Sequence, residues 1–242
     1  MSTGPAVVVG GGSGIGASVA ARYRAAQVDV VVWDVAGDSD IVCDITDPEQ
    51  IDAATAATVA LVGMPSVVTI SAGVGQSGPL SEVDPAEWDR VMGVNAKGVW
   101  LTMRSLAGAM RPTGRGSIVA ISSVSSQLAD QTMGLYCASK AALDMIVKVA
   151  ACEWAPAVRV NAVAPGVTDT PMLGRAPLDG AWLSGVARRT PMDRIGRPDD
   201  IAEAVVALHG MTWVTGAIVS CDGGLSLHSP IDPTGAGDPT QG

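Results

Sequence analysis

Short, almost unbroken apolar runs alternate along the chain with longer stretches in which apolar residues return every third or fourth position. The runs are AVVV at 6–9, VDVVVWD at 28–34, IVCD at 41–44, SVVTISAG at 66–73, SIVAISS at 117–123, VRVNAVA at 158–164 and AIVSCDGG at 217–224. Valine- and isoleucine-rich runs without alternation predict strands buried on both faces, as in a parallel sheet. The intervening periodicity predicts helices over 13–27, 47–62, 85–110 and 136–154, and one from Asp199 onward. Asp47-Pro48-x-Gln50 and Asp84-Pro85-x-Glu87 read as capping boxes with proline at the first helical position. Strand–helix alternation of this kind implies an α/β fold: one doubly wound domain over 1–228, with a mostly parallel seven-stranded sheet and helices on both faces.

Three segments depart from the alternation. Only nine residues separate Asp34 from Asp44, too few for a helical crossover, so a turn is expected there and a more exposed sheet edge with it. Residues 167–195 mix Gly, Pro, Trp, Leu and Met with no sustained period, as in a loop that covers a substrate. Met172, Leu173, Leu178, Trp182 and Leu183 are its candidate covering residues, with packing or subunit contact as the equal alternative; Arg188 and Arg189 are read as solvated charges rather than anion ligands. Residues 229–242, rich in Pro, Gly and Asp, are expected to form an arm or a disordered tail.

A length of 242 residues fits one α/β domain, and a 48% hydrophobic content supplies a large core. Phenylalanine is absent, so six Trp and ten Met provide much of the bulky apolar volume. The net charge of −9 argues against nucleic acid or an anionic membrane as partner. The start of the chain does not resemble a signal peptide and no apolar run is long enough to span a bilayer, so a cytoplasmic location is expected. Cys43, Cys137, Cys152 and Cys221 lack metal-ligand spacing, so buried, reduced thiols and no metal are expected.

Candidate chemistry begins at GGGSGIG, residues 10–16, directly after a strand and directly before a helix. Gly10, Gly14 and Gly16 permit a tight turn and close approach of backbone to a diphosphate, which the N–H groups and positive end of the following helix attract. Ser13 and Ile15 belong to the same loop. Asp34 ends the second strand, where an acid accepts hydrogen bonds from ribose hydroxyls and repels a 2′-phosphate; NAD rather than NADP follows. Asp44 and Ile45 end the third strand near where adenine would lie, and Ser71, Ala72 and Gly73 are small enough to let a cofactor lie close. Asn95 interrupts an apolar helical face, either as a satisfied core amide or as a helix-kinking residue that fixes a water near Lys140.

Ser123 ends a strand, and Tyr136 and Lys140 sit four apart on the next helix, so phenol and ammonium share one face. A free tyrosine titrates near ~10, but a neighbouring cation favours its phenolate. Serine, tyrosine and lysine together form a device for moving a proton on or off an alcohol oxygen.

Over about residues 5–227 the chain resembles the short-chain dehydrogenase/reductase family, in GGGSGIG, Asp34, ISAG, VNAKG, SIVAISS, YCASK, RVNAVAPGVTDTPM, GRPDDIAEAV and TG-AIVSCDGG. The resemblance implies a Rossmann-type domain with Tyr136 as acid/base, Ser123 as ligand of the substrate oxygen, Asn95 as anchor of a proton-relay water, and Lys140 as both the residue that lowers the tyrosine pKa and a ligand of the nicotinamide ribose. It places Pro165, Gly166, Thr168 and Thr170 beside the cofactor. It implies reversible hydride transfer between NAD and a secondary alcohol or ketone, and a homotetramer, or a dimer, built on 85–110 and 136–154. Absence of a basic cluster in 167–195 favours a neutral, apolar substrate. The alternatives are a 3-oxoacyl-thioester reductase and a non-catalytic NAD-binding regulator. Val9 and Ser71 stand where the family has threonine and asparagine, which puts the stiffness of the cofactor floor in question.

Overall fold

In the computed structural model, residues 4–36, 39–174 and 180–227 are described. The strands are β1 (Ala6–Val9), β2 (Val30–Asp34), β3 (Ile41–Val42), β4 (Val67–Ile70), β5 (Gly116–Ile121), β6 (Val158–Pro165) and β7 (Ile218–Cys221). They form one sheet in the order β3-β2-β1-β4-β5-β6-β7, with every neighbouring pair parallel. The doubly wound Rossmann-type architecture expected from the alternation is therefore present.

Each strand feeds two cores. Val7, Val9, Val31 and Trp33 face one layer, Ala6, Val8 and Val32 the other, because successive side chains point to opposite faces. The first layer holds helices α2 (Pro48–Val62), α4 (Val99–Met110) and α5 (Gly134–Trp154), contributing Ile51, Met103, Leu106, Leu143 and Val147. The second holds α1 (Gly14–Ala25) and α8 (Pro198–Gly210), contributing Val19, Ala20, Ile201 and Val205. Each fully buried Val or Leu is worth roughly 1.5–3 kcal/mol against exposure. Trp33, with no exposed surface, also donates its indole N–H to Thr58 Oγ1 at 2.9 Å.

Several elements differ from the sequence expectation. The single helix expected over 85–110 is three pieces: α3 (Pro85–Met92), a π-helical turn (Gly93–Gly98) and α4. Asp47 accepts from Glu49 and Gln50 N–H, but Gln50 Oε1 reaches back to the Asp44 N–H, not to the cap residue. Asp84 caps Ala86 N–H while Glu87 turns to Arg90, so neither site is a full capping box. β3 is two residues long rather than four, and no helix occupies the described part of the link from β2. Asp40 anchors that link, accepting from Val32 N–H at 2.8 Å. Val35 and Val42 are exposed there, as the missing crossover helix implies. In 167–195 two helices appear, α6 (Pro171–Gly174) and α7 (Gly180–Arg189), with Val186 the one buried residue named in them. Of the four free cysteines only Cys43 is buried, and Cys152 is exposed. Leu178 and the tail at 229–242 lie outside the described residues. No helix among the described residues is long and apolar enough to cross a membrane.

One buried polar cluster joins α8 to the sheet. His209 Nδ1 lies 2.9 Å from Ser117 Oγ and its Nε2 3.2 Å from Thr69 Oγ1. Arg159 holds the end of the same helix by bonds to the His209, Met211 and Val214 carbonyls. Burial, reinforced by the Arg159 charge, pulls the imidazole down to about 3 from its ordinary 6.5. A base depressed on folding favours the folded state fully above its unfolded value and loses that contribution as pH falls toward the folded value. The thermal midpoint of the protein should therefore fall as pH is lowered from 6.5 toward 3, with this group supplying on the order of 4 kcal/mol. In His209→Gln the same titration, followed by circular dichroism, should be shallower over that window.

Candidate active site

In an open sheet, binding residues gather where the strand order reverses, at the C-terminal edge. Here the reversal lies between β1 and β4, and the turns after β1, β4, β5 and β6 all meet at that edge. Gly10 takes a φ of 74°, and a Cβ there would lie 2.4 Å from the Ala72 nitrogen. A Cβ on Gly16 would lie 2.1 Å from the Gly10 carbonyl oxygen. Only glycine permits this packing of loop, helix start and β4 end. Ser13 is the N-cap of α1 but makes no side-chain capping bond, which leaves the helix's positive end open to an anion. Ile15 packs partly buried behind the loop.

Asp34 Oδ2 accepts from Gly12 N–H and Oδ1 from Val35 N–H, both at 2.8 Å, so the carboxylate is locked beside the glycine turn. Where Val9 and Ser71 stand, main-chain bonds join the ends of β1 and β4: Ser71 N–H donates to the Val9 carbonyl at 2.7 Å and Ala72 N–H to the same oxygen at 3.2 Å. Asp44 Oδ1 is taken by the Thr46 N–H and hydroxyl, and Ile45 is buried against Gly98. Thr170 and Pro171 close over Gly14, with Thr170 Cβ 3.5 Å from a Cβ built on that glycine. Thr168 is buried and its hydroxyl turns back to the Gly166 carbonyl, while Pro165 ends β6 and Gly166 packs against Asp222. An uncapped helix start, a glycine cradle that any Cβ would fill and a fixed strand-end carboxylate fit a dinucleotide.

Ser123, Tyr136, Lys140 and Asn95 converge next to that cradle. Asn95 lies in the π-helical turn, fully buried; its Oδ1 accepts from Val74 N–H at 2.8 Å, and its Nδ2 donates to the Val74 carbonyl and to Ser139 Oγ. It is thus a satisfied core amide within a π-helical distortion. A Cβ on Gly73 would lie 3.4 Å from Asn95 Oδ1 and 3.6 Å from Lys140 Nζ, so Gly73 separates the two. Lys140 is buried, donates to the Ile121 carbonyl at 2.9 Å and lies 5.7 Å from the Tyr136 ring centre. Tyr136 is half-buried, with Ser123 as the neighbour whose hydroxyl favours its phenolate; Ser123 Oγ itself accepts from Ser125 N–H at 3.2 Å.

The electrostatics differ from expectation. Burial pushes the Tyr136 phenol up, and the Ser123 hydrogen bond only partly offsets it. Burial pulls the Lys140 ammonium down to about 8, opposed by Asp144. The phenol stands above rather than below its ordinary value, because dry surroundings disfavour the charged form of each group.

Gln76 and Arg90 frame the site without having been singled out in the sequence. Gln76, buried, accepts from Leu135 N–H at 3.3 Å, and Arg90 donates to the Gly75 carbonyl at 2.8 Å, tying the loop after β4 to α5 and α3. Met172 Cγ lies 3.9 Å from a Cβ built on Gly75, while Met172 and Trp182 are exposed and Leu173 and Leu183 half-buried. Arg188 and Arg189 are exposed at the end of α7. Asp144 is the most informative omission, and its signal was available: an acid four positions after Lys140 in an apolar helix.

Comparison with known proteins accords with this geometry. A profile of the family described as enoyl-(acyl carrier protein) reductase matches residues 10–226. The chain is 34% identical to cis-4-hydroxycyclohexanecarboxylate dehydrogenase of Sinomonas cyclohexanicum, over 91% of this chain and 96% of the relative. It is 35% identical to an L-tagatose-forming galactitol 2-dehydrogenase of Cereibacter sphaeroides, over 92% and 94%. Among solved structures, gluconate 5-dehydrogenase of Burkholderia cenocepacia in complex with NADP and tartrate superposes with a TM-score of 0.89 at 28% identity, over 95% of this chain and 97% of that one. The glycine turn, the strand-end acid and the Tyr136–Lys140 pair thus lie in a member of the short-chain dehydrogenase/reductase family, to which this chain belongs.

Gly16→Ala should destabilise the protein by about 1–3 kcal/mol, the usual cost of forcing extra volume into a packed site. It should also weaken dinucleotide binding; urea unfolding and quenching of tryptophan fluorescence by the dinucleotide would measure the two losses.

Proposed function

We propose that this protein is an NAD-dependent oxidoreductase that transfers a hydride reversibly between the cofactor and a secondary alcohol or ketone. The convergence of Ser123, Tyr136 and Lys140 beside the glycine cradle carries this reading. When bound, the dinucleotide supplies the hydride acceptor or donor. Gly10, Ser13, Gly14, Ile15 and Gly16 would hold its diphosphate, and Asp34 its adenosine ribose, with Asp44 and Ile45 at the adenine side. Ser71, Ala72 and Gly73, with Pro165, Gly166, Thr168 and Thr170, would line its nicotinamide half.

Ser123 donates a hydrogen bond to the substrate oxygen; Tyr136 takes that oxygen's proton as a phenolate in oxidation and returns one as a phenol in reduction. Lys140 lies where its charge stabilises the phenolate once it forms, and where its ammonium can meet a ribose hydroxyl. Asn95, with its amide engaged, holds the loop after β4 against α5 and keeps room beside Lys140 for a relay water.

Preference for NAD rests on Asp34, whose carboxylate is fixed where a 2′-phosphate would meet negative charge. The relatives act on an alicyclic hydroxy acid and on a polyol by their names. For this chain a neutral secondary alcohol or ketone is the substrate class, supported by Met172, which lies beside Gly75 in the loop after β4. Assembly as a homotetramer is supported by Trp88, Trp100, Met145 and Val149, exposed on α3, α4 and α5. Unpaired cysteines support a cytoplasmic location.

Initial rates with NAD and NADP on a panel of cyclohexanols, hydroxycyclohexanecarboxylates and polyols test the proposal. NAD should give at least about tenfold higher kcat/KM, a difference of about 1.4 kcal/mol. Equal rates with both cofactors would remove the role of Asp34. Tyr136→Phe should retain NAD binding and lose about a hundredfold or more in kcat; full activity in that variant would overturn the mechanism. Because the phenol lies above its ordinary value and oxidation releases a proton, alcohol oxidation should accelerate, and ketone reduction slow, from pH 6 toward 8. Above about 8 Lys140 gives up its charge and the gain should end.

A further inference from the structure

The last residue of β5 and the two that follow it meet three successive turns of α5. The Ile121 carbonyl accepts from Lys140 Nζ and the Ser122 hydroxyl donates to Asp144 Oδ1, while Ser123, next in the chain, is the neighbour whose hydroxyl acts on the Tyr136 phenol. Ser122 is itself fixed, its N–H donating to the Val163 carbonyl at 2.7 Å. Asp144 is 7% exposed, one helical turn beyond Lys140 on the same face. A buried carboxylate costs several kcal/mol, and an apolar residue would pack such a position more stably.

We propose that Asp144 is a positioning residue for the reaction: through Ser122 it sets the place of Ser123 against Tyr136, and through its charge it keeps Lys140 an ammonium. The inference rests on the function proposed above and adds a fifth residue to the group of Ser123, Tyr136, Lys140 and Asn95.

The surroundings favour this role. Lys140 is faced by Tyr136 and Asp144 from α5, by the Ile121 carbonyl from β5 and by Asn95 from the π-helical turn. The charged neighbours of Asp144 on its own helix are Lys140 and, one turn further on, the exposed Lys148; Ser122 meets it from β5. Behind Asp144 lies a cavity of about 420 Å³ lined by Ser126, Gln127, Met145, Lys148 and Ile218, none of them acidic. Asp144 is therefore the anion that opposes the cost of burying Lys140.

The test compares the parent with Asp144→Asn, Ser122→Ala and Tyr136→Phe, measuring kcat against pH, NAD affinity by fluorescence and thermal midpoint. In Asp144→Asn, kcat should fall about tenfold above pH 7.5 and the alkaline limb should move down by about one unit, as expected when a nearby opposite charge is removed. NAD affinity should stay within about twofold. Ser122→Ala keeps the charge, so kcat should fall with the alkaline limb in place. An Asp144→Asn enzyme with the parent's kcat and pH profile overturns the proposal, as does a loss of kcat with an unmoved limb. If Asp144→Asn does not fold, Ser122→Ala decides alone: unchanged kcat there overturns the link to Ser123. Full activity in Tyr136→Phe would instead reject the underlying mechanism, so the two failures are distinguishable.

Discussion

An ammonium group 4% exposed to water is the constraint around which this site is built. Removing such a charge from solvent costs several kcal/mol unless nearby groups replace its hydration. Lys140 finds the Ile121 carbonyl on one side and the Asp144 charge on its own helix. Meeting both requires that the end of β5 and the first turns of α5 keep a fixed register. That register also brings Ser123 to Tyr136. Gly73, too small to fill the space, lets the amide of Asn95 approach from the opposite side. The geometry available for chemistry is thus a by-product of solving one solvation problem.

The sheet supplies the platform. Parallel strands with both faces covered leave their C-terminal ends as the open edge, and the reversal of strand order at β1 and β4 splits the covering loops apart. Close approach at this edge depends on the absence of side chains at Gly10 and Gly16, and on two backbone bonds to the Val9 carbonyl. Where Val9 and Ser71 stand, the two strand ends are joined by main chain.

Legibility in the sequence followed the range of the interactions concerned. Valine-rich runs showed the strands because burial on both faces leaves a local pattern, and the glycine loop, Asp34 and the Tyr136–Lys140 spacing were visible because each is local as well. The two-residue length of β3, the break at Gly93–Gly98 and the helices within 167–195 were not, since each is decided by contacts with distant chain. Asn95 makes the point: its partners are Val74 and Ser139, neither a sequence neighbour. The same holds for the Ser122–Asp144 bond and for His209 between Ser117 and Thr69. The direction of the Tyr136 shift escaped for another reason: spacing reveals the neighbouring charge but not how dry the pocket is.

The π-helical turn also governs how this part of the chain tolerates changes of length. Such a turn stores about one residue more than an α-helical turn, so α3 and α4 stand out of phase by roughly one residue's rotation, about 100°. Deleting Ala96 or Lys97 would let the helix run on regularly and would rotate Asn95 and the whole of α3 relative to α4. Val91 would leave the core and Asn95 would leave Val74, although every remaining side chain was unchanged. Substitutions in this turn act one position at a time, whereas a deletion acts on everything before it.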